Sequence, residues 1–230
     1  MFSISFKDVS KIYENGAAGL IDANIDIATG EFVFLLGQSG SGKSTFLSLL
    51  TREILPTKGT IFVGGNDLIK MKRKKLPYLR RKFGIIREEN LLLNDRNVYK
   101  NIELALLATQ QPAGLMEQTI FKALGLVGMR DKAEAMPHEL SGGERSKVEL
   151  ARAFVNNPSV IIADEPTSGL DRDAAWDIAQ LFDEINRLGV TVIMATHDKE
   201  IVNIMQKRVV TLYGGRIIGD VKKGKYGYLI

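Results

Sequence analysis

Cysteine is absent from all 230 residues, which excludes disulfides and thiolate metal sites and fits a reducing cytosol. No stretch approaches the roughly 20 uninterrupted apolar residues of a membrane-spanning helix. The opening "MFSISFKDVSKIY" alternates apolar and polar residues and already carries charge, so it reads as a strand and not as a secretory signal. Internal repeats and low-complexity linkers are also missing. What remains is an ordinary globular composition, 45% hydrophobic and 25% charged, at a length that suits one large α/β domain or a core with an inserted lobe.

The net charge of +4 is too small to argue for a nucleic-acid partner. It is unevenly spread, however. "KMKRKKLPYLRRK" holds eight basic residues: Lys70, Lys72, Arg73, Lys74, Lys75, Arg80, Arg81 and Lys82. The run reads as a solvated helical face, or as a contact for anionic lipid headgroups or an acidic partner segment. Nucleic acid fits less well, because Tyr78 is the one interleaved aromatic.

Along the chain, Phe2, Ile4 and Phe6 alternate, and Ile25 and Ile27 do so again before Gly30, which predicts strands. "EFVFLLG" is the near-continuous apolar run of a buried parallel strand, and "GTIFVGG" is a further strand. From about residue 90 to 135 the pattern is helical, with "VYKNIELALLATQ" and "MEQTIFKALGLVG" amphipathic. "VIIAD" and "VTVIMAT" are strands separated by a helix that Gly189 caps, and "RVVTLYGGRIIGDV" closes the chain as a hairpin turning at Gly214–Gly215. Strands and helices in alternation predict a mostly parallel α/β core with a helical lobe inserted in its middle.

Between a strand and a helix lies "GQSGSGKST", which matches G-x-x-x-x-G-K-[ST]. Its residues Gly37, Gln38, Ser39, Gly40, Ser41, Gly42, Lys43, Ser44 and Thr45 are the expected triphosphate cradle. The glycines let backbone N–H groups curl around phosphate, and the helix N-terminus adds positive potential. Lys43 would bridge the β- and γ-phosphates, and the Ser44 hydroxyl would ligate Mg²⁺. After the apolar strand "VIIAD" come two acids. Asp164 would hold Mg²⁺, and Glu165, facing the other side of the strand end, would polarise the attacking water. His197, beyond the strand "VIMAT", would contact the γ-phosphate. His138 is read as structural.

"ELSGGERSKVELARA" adds a second phosphate-type helix start. Ser141 and Glu144 form a capping box, while Gly142 and Gly143 leave N–H groups approachable. With this stretch the sequence resembles the ATPase subunits of ABC systems, whose signature is LSGGE, and the likeness spans nearly the whole chain. The resemblance implies a P-loop NTPase (RecA-like) core with an N-terminal antiparallel β subdomain. On that expectation residues 1–88 and 153–230 form the β subdomain and core, and 89–152 the helical subdomain. It further implies ATP and Mg²⁺ as cofactors, adenine stacking on Tyr13, and a head-to-tail homodimer. In that dimer Ser141, Gly142, Gly143 and Glu144 complete the ATP site of the opposite subunit, and Ser168, Gly169, Leu170 and Asp171 form the D-loop. Base–aromatic stacking of the Tyr13 kind is worth about 1–3 kcal/mol.

Within the family, "LPYLRRKFGII", "HELSGGE", "ARAFVNNPSVIIADEPTSGLD", "VIMATHDKEIVN" and the tail "KGKYGYLI" are most similar to the cell-division members. That implies an integral membrane partner that relays ATP-driven motion to peptidoglycan hydrolases or their activators, with the subunit peripheral on the cytoplasmic face. A lipoprotein- or macrolide-type exporter ATPase is the alternative. A non-transport ABC protein acting on nucleic acid is the other, although the coiled-coil, zinc or tandem-ATPase insertions it predicts are missing.

One departure stands out in "FGIIREENLLLNDRN". Where the family carries a glutamine that reaches Mg²⁺ and lies close to the docked membrane partner, this chain has Glu88. A carboxylate can also ligate Mg²⁺, but it brings negative charge towards Asp164, Glu165 and the triphosphate. Arg87, the metal or a proton could offset that charge. The expectation is a working but slow ATPase with altered Mg²⁺ dependence. The change to Arg145, Ser146 and Lys147 after the signature is expected to be tolerated.

Overall fold

The computed structural model describes residues 2–88 and 91–226. Glu89 of the unusual loop and residues 227–230 of the tail lie outside that set. The elements run β1 (Ile4–Ile12), β2 (Ala18–Ile27), β3 (Phe32–Leu36), α1 (Lys43–Leu50), β4 (Lys58–Val63), β5 (Asn66–Asp67), α2 (Leu76–Arg80) and β6 (Phe83–Ile86). They continue with α3 (Val98–Ala108), α4 (Ala113–Leu126), α5 (Gly142–Phe154), β7 (Val160–Asp164), α6 (Arg172–Arg187), β8 (Thr191–Ala195), α7 (Lys199–Met205), β9 (Arg208–Tyr213) and β10 (Arg216–Val221).

Two sheets organise these elements. One is antiparallel, in the order β2-β1-β4-β5, and the other has six strands in the order β10-β9-β3-β8-β7-β6. In the second, β9, β3, β8, β7 and β6 are parallel neighbours, and β10 alone runs antiparallel as the return arm of the closing hairpin. Gly214 (φ +52°) and Gly215 (φ +78°) make the left-handed turn between β9 and β10.

The apolar runs explain the layering. Side chains of a strand alternate faces, so a strand with no polar alternation is buried on both. In β3, Phe32, Phe34 and Leu36 join one core and Val33 and Leu35 the other; in β7 and β8, Ile161 and Val192 face the first, Ile162 and Ile193 the second. The first core is completed by α3, α4, α5, α6 and α7, through residues such as Ile102, Ile120, Val148, Phe182 and Val202. The second is completed by α1 and the antiparallel sheet, with Phe6 stacked on Phe46 at 4.4 Å. The basic run forms a single 3₁₀ turn, Arg73–Lys75, followed by α2, which carries Pro77 in its first turn. α5 begins at Gly142 and continues to Phe154, against β6.

Candidate nucleotide site

In a parallel sheet every strand ends on the same side, and ligands of such folds lie outside the carboxyl ends. Here the loops leaving β3, β8, β7 and β6, four neighbours in the sheet, deliver the phosphate loop, His197, the Asp164–Glu165 pair and Glu88 to one place. They line a cavity of about 710 Å³ together with Tyr13 and Tyr226. Tyr226 has no motif and was not legible in the sequence; it is held there by its backbone N–H donating to Asn203 Oδ1 at 2.8 Å and by packing on the helical core.

The cradle depends on close backbone approaches. Gly42, the residue before α1, has φ +109°, and a side chain there would collide with the carbonyl oxygen of Gly19. A side chain on Gly37 would meet the Ser41 hydroxyl and the Leu212 carbonyl. Lys43 folds back over this loop, its ammonium donating to the Gly37 carbonyl at 2.7 Å and the Gln38 carbonyl at 3.4 Å. Tyr13 stands at the cavity edge, 38% exposed, with its hydroxyl 3.0 Å from Thr45 Oγ1.

The adjacent acids have different partners. Asp164 still pairs in the sheet opposite Ala195, and its Oδ2 accepts from the Ser44 hydroxyl at 3.3 Å. Burial pushes its pKa upward, and the charges of Glu165 and Glu88 push the same way against the Ser44 hydrogen bond and Lys43. Glu165 leaves the strand with φ +50°, a left-handed conformation that costs a non-glycine residue on the order of 1 kcal/mol or more. That turn aims its carboxylate at His197, whose Nδ1 lies 2.9 Å from Oε2 and whose backbone N–H donates to the same oxygen at 3.3 Å.

Glu88 lines the cavity without an ion pair or hydrogen bond to any described residue. The neighbouring Arg87 does not offset it, because its guanidinium is paired with Glu53 at 2.5 Å. Beyond Glu88 the loop is fastened from the helical side. The Leu91 N–H donates to Glu149 Oε1 at 2.7 Å, while the Leu91 carbonyl accepts from Arg152 Nη1 at 2.8 Å. Glu149 and Arg152 sit one turn apart on α5, 3.6 Å from each other. Burial raises the Glu149 pKa, against the Leu91 hydrogen bond and Arg152. The signal was present in the sequence as an acid between Val148 and Leu150 on an apolar helix face.

The signature residues do not line the nucleotide cavity. Ser141 and Glu144 close the predicted capping box, Oε2 accepting from Ser141 N–H at 2.8 Å and Oγ from Glu144 N–H at 3.2 Å. Gly142 instead lines an adjoining cleft of about 150 Å³ with Ser168, Gly169 and Leu170, which shares Glu88 and Glu165 with the nucleotide cavity. A side chain at Gly142 would press on Leu170, and Asp171 caps α6 by accepting from Ala174 N–H at 2.9 Å. After the signature, Arg145 bonds the Leu140 carbonyl at 2.6 Å and Lys147 pairs with Asp177 at 3.1 Å, so each new side chain has a local partner.

A family model described as ABC transporter matches residues 20–168. The cell division ATP-binding protein FtsE of Bacillus subtilis is 43% identical, covering 97% of this chain and 98% of its own length. FtsE of Streptococcus pneumoniae is 42% identical, covering 99% of both. Among solved structures, the ATP-binding cassette MJ0796, a dimer in a post-hydrolysis state bound to ADP and Pi, superposes with a TM-score of 0.85 at 29% identity, covering 97% of this chain and all of that one. The two sheets, the phosphate loop before α1, the two acids after β7 and the capped LSGGE helix therefore carry one assignment: this chain belongs to the ABC transporter family, as an FtsE-like ABC ATPase.

Proposed function

We propose that this chain is the ATP-binding and hydrolysing subunit of an FtsEX-like cell-division ABC complex. The observation that carries the proposal is the pairing of Ser44 with Asp164, and of His197 with Glu165, at the mouth of one phosphate loop. ATP binds with its phosphates on residues 37–45 and adenine against Tyr13. Glu165 accepts a proton from the attacking water, whose oxygen forms the new bond to the γ-phosphorus. The bond from that phosphorus to the β–γ bridging oxygen breaks, ADP carries off the electron pair, and phosphate is released. His197 holds the Glu165 carboxylate in place and contacts the γ-phosphate. Lys43 leaves its carbonyl partners for the β- and γ-phosphates.

The residues fit Mg²⁺. Ser44 Oγ and the Asp164 carboxylate are hard oxygen donors beside the phosphate loop, and Asp164 is a desolvated carboxylate that a cation would stabilise. Among the described residues no cluster of three His, Cys, Asp or Glu could hold a metal by itself, as expected of an ion that takes its other ligands from phosphate and water. Bound there, it would neutralise charge on the β- and γ-phosphate oxygens. Glu88, which lines the same cavity, would add a third donor.

The second half of each site comes from another copy. The capped N-terminus of α5 and the Ser168–Asp171 loop are supplied head to tail, which accounts for their lying outside the cavity of their own chain. MJ0796 is a dimer, in line with this. No helix among the described residues is long and apolar enough to cross a membrane. From the likeness to FtsE of Bacillus subtilis we assign the chain to the cytoplasmic membrane face, bound to an integral partner resembling FtsX. Residues 89–152 would act as the helical unit that transmits the change. The groove of about 530 Å³ lined by Pro77, Arg81, Ile85, Leu104 and Arg152 is the surface assigned to that partner. Affinity capture from membranes with the Glu165→Gln variant and ATP should retain one integral membrane protein in stoichiometric amount. Recovery of the ATPase alone would contradict the complex.

A further inference from the structure

The excess of positive charge in this protein is confined to one ridge. The thirteen residues Lys70–Lys82 contain eight basic side chains and no acidic one. With those eight set aside, the remaining 23 Lys and Arg face 27 Asp and Glu, so the rest of the chain is net −4 while the ridge is +8.

Three of the eight have partners: Lys70 approaches Asp67 at 3.7 Å, Arg80 donates to the Arg52 carbonyl at 3.2 Å, and Arg81 donates to the Ala108 carbonyl at 3.3 Å. These contacts bolt the segment to the core, helped by Leu79, which is buried. The other five, Lys72, Arg73, Lys74, Lys75 and Lys82, are exposed and make no ion pair with any described residue. Beside them Tyr78 is 67% exposed, with the Arg81 guanidinium 5.4 Å from its ring centre. Ile69 is also exposed. A rigid platform of unpaired cations with an amphipathic aromatic at its edge matches a surface of fixed negative charge with an apolar layer beneath.

We propose that Lys70–Lys82 is a docking ridge for anionic phospholipid, which seats the chain on the bilayer in a set orientation. Pro77, Arg80 and Arg81 line both this ridge and the groove assigned above to the membrane partner, so docking on lipid would present that groove to the partner. The orientation rests on that assignment; the lipid contact does not. Each Lys or Arg held near an anionic leaflet adds to the attraction, and the remainder of the chain is net −4.

The test is sedimentation of the purified full chain with vesicles of phosphatidylcholine alone and of phosphatidylcholine with 30% phosphatidylglycerol. Binding is expected to the anionic vesicles only, falling as salt rises. The variant Lys72→Glu/Arg73→Glu/Lys74→Glu/Lys75→Glu should lose at least tenfold in partitioning while its ATP turnover is unchanged. Tyr78→Ala should weaken binding by a smaller factor that high salt does not erase. Equal binding of the wild type and the charge-reversed variant overturns the proposal. So does wild-type binding to neither vesicle type, which would leave the ridge as a site for an acidic protein segment. The vesicles hold no protein, so failure here leaves the proposed membrane complex standing, and failure of that complex leaves lipid binding untouched.

Discussion

Glu88 is the residue on which the behaviour of the site turns, because Asp164 and Glu165 line the same cavity and Arg87 is committed to Glu53. Two like charges 4 Å apart repel by about 1 kcal/mol in water and about 4 kcal/mol at an effective dielectric of 20. On the smaller figure Glu88→Gln should raise ATP turnover about fivefold, and its half-saturating Mg²⁺ should rise if the carboxylate is a ligand. A steady-state Mg²⁺ titration reads both, and no change in either would place Glu88 outside the chemistry. The Glu149–Arg152 clamp predicts a second effect. Glu149→Ala strands the Leu91 N–H and leaves the half-buried Arg152 guanidinium only the Leu91 carbonyl, so it should cost about 1–3 kcal/mol of stability and lower kcat more than it raises KM. Glu149→Gln keeps an acceptor for Leu91 and should recover most of the rate; equal loss in both variants would refute a positioning role. Motif spacing could name the acids but not their partners. The positive φ of Glu165, and the Arg87–Glu53 pair across 34 residues, are set by tertiary packing and leave no local trace.

At the scale of elements, legibility followed periodicity. β3, β7 and β8 were readable because burial on both faces leaves unbroken apolar runs, and α5 because Ser141 and Glu144 advertise its start. The strand order β10-β9-β3-β8-β7-β6 was not, since it depends on how crossovers pack and not on any one segment. Nor was the shortness of α2, where charge gave no periodicity to follow. The α5 cap can be tested directly. Ser141→Ala should cost about 1 kcal/mol in urea unfolding. The Ser141 N–H, desolvation notwithstanding, holds the Glu144 carboxyl below its ordinary 4.5, with Lys132 assisting. A carboxyl lowered on folding contributes stability that is present above its unfolded value and lost as pH falls through the folded one. The contribution of the Glu144 carboxylate should therefore be full at neutral pH and fade below about 4.5; a Glu144→Ala penalty that grows as pH falls would contradict the reciprocal box.

On the scale of the whole molecule, the proposed function makes the chain the bearer of two incomplete halves of an ATP site. The cavity at the ends of β3, β8, β7 and β6 has the phosphate loop, both acids and His197, while the signature helix opens onto a different cleft. That separation follows from the fold, because α5 belongs to the helical core and the phosphate loop faces the antiparallel sheet. On the proposed function, ATP joins two such halves and Glu165 then takes the water proton. Light scattering on Glu165→Gln with Mg²⁺ and ATP, alongside phosphate release, measures this most directly. The expected result is a particle of twice the 25.4 kDa chain mass, formed only with ATP, and turnover reduced at least a hundredfold. A variant that stays monomeric with ATP bound, or that hydrolyses at the wild-type rate, would contradict it.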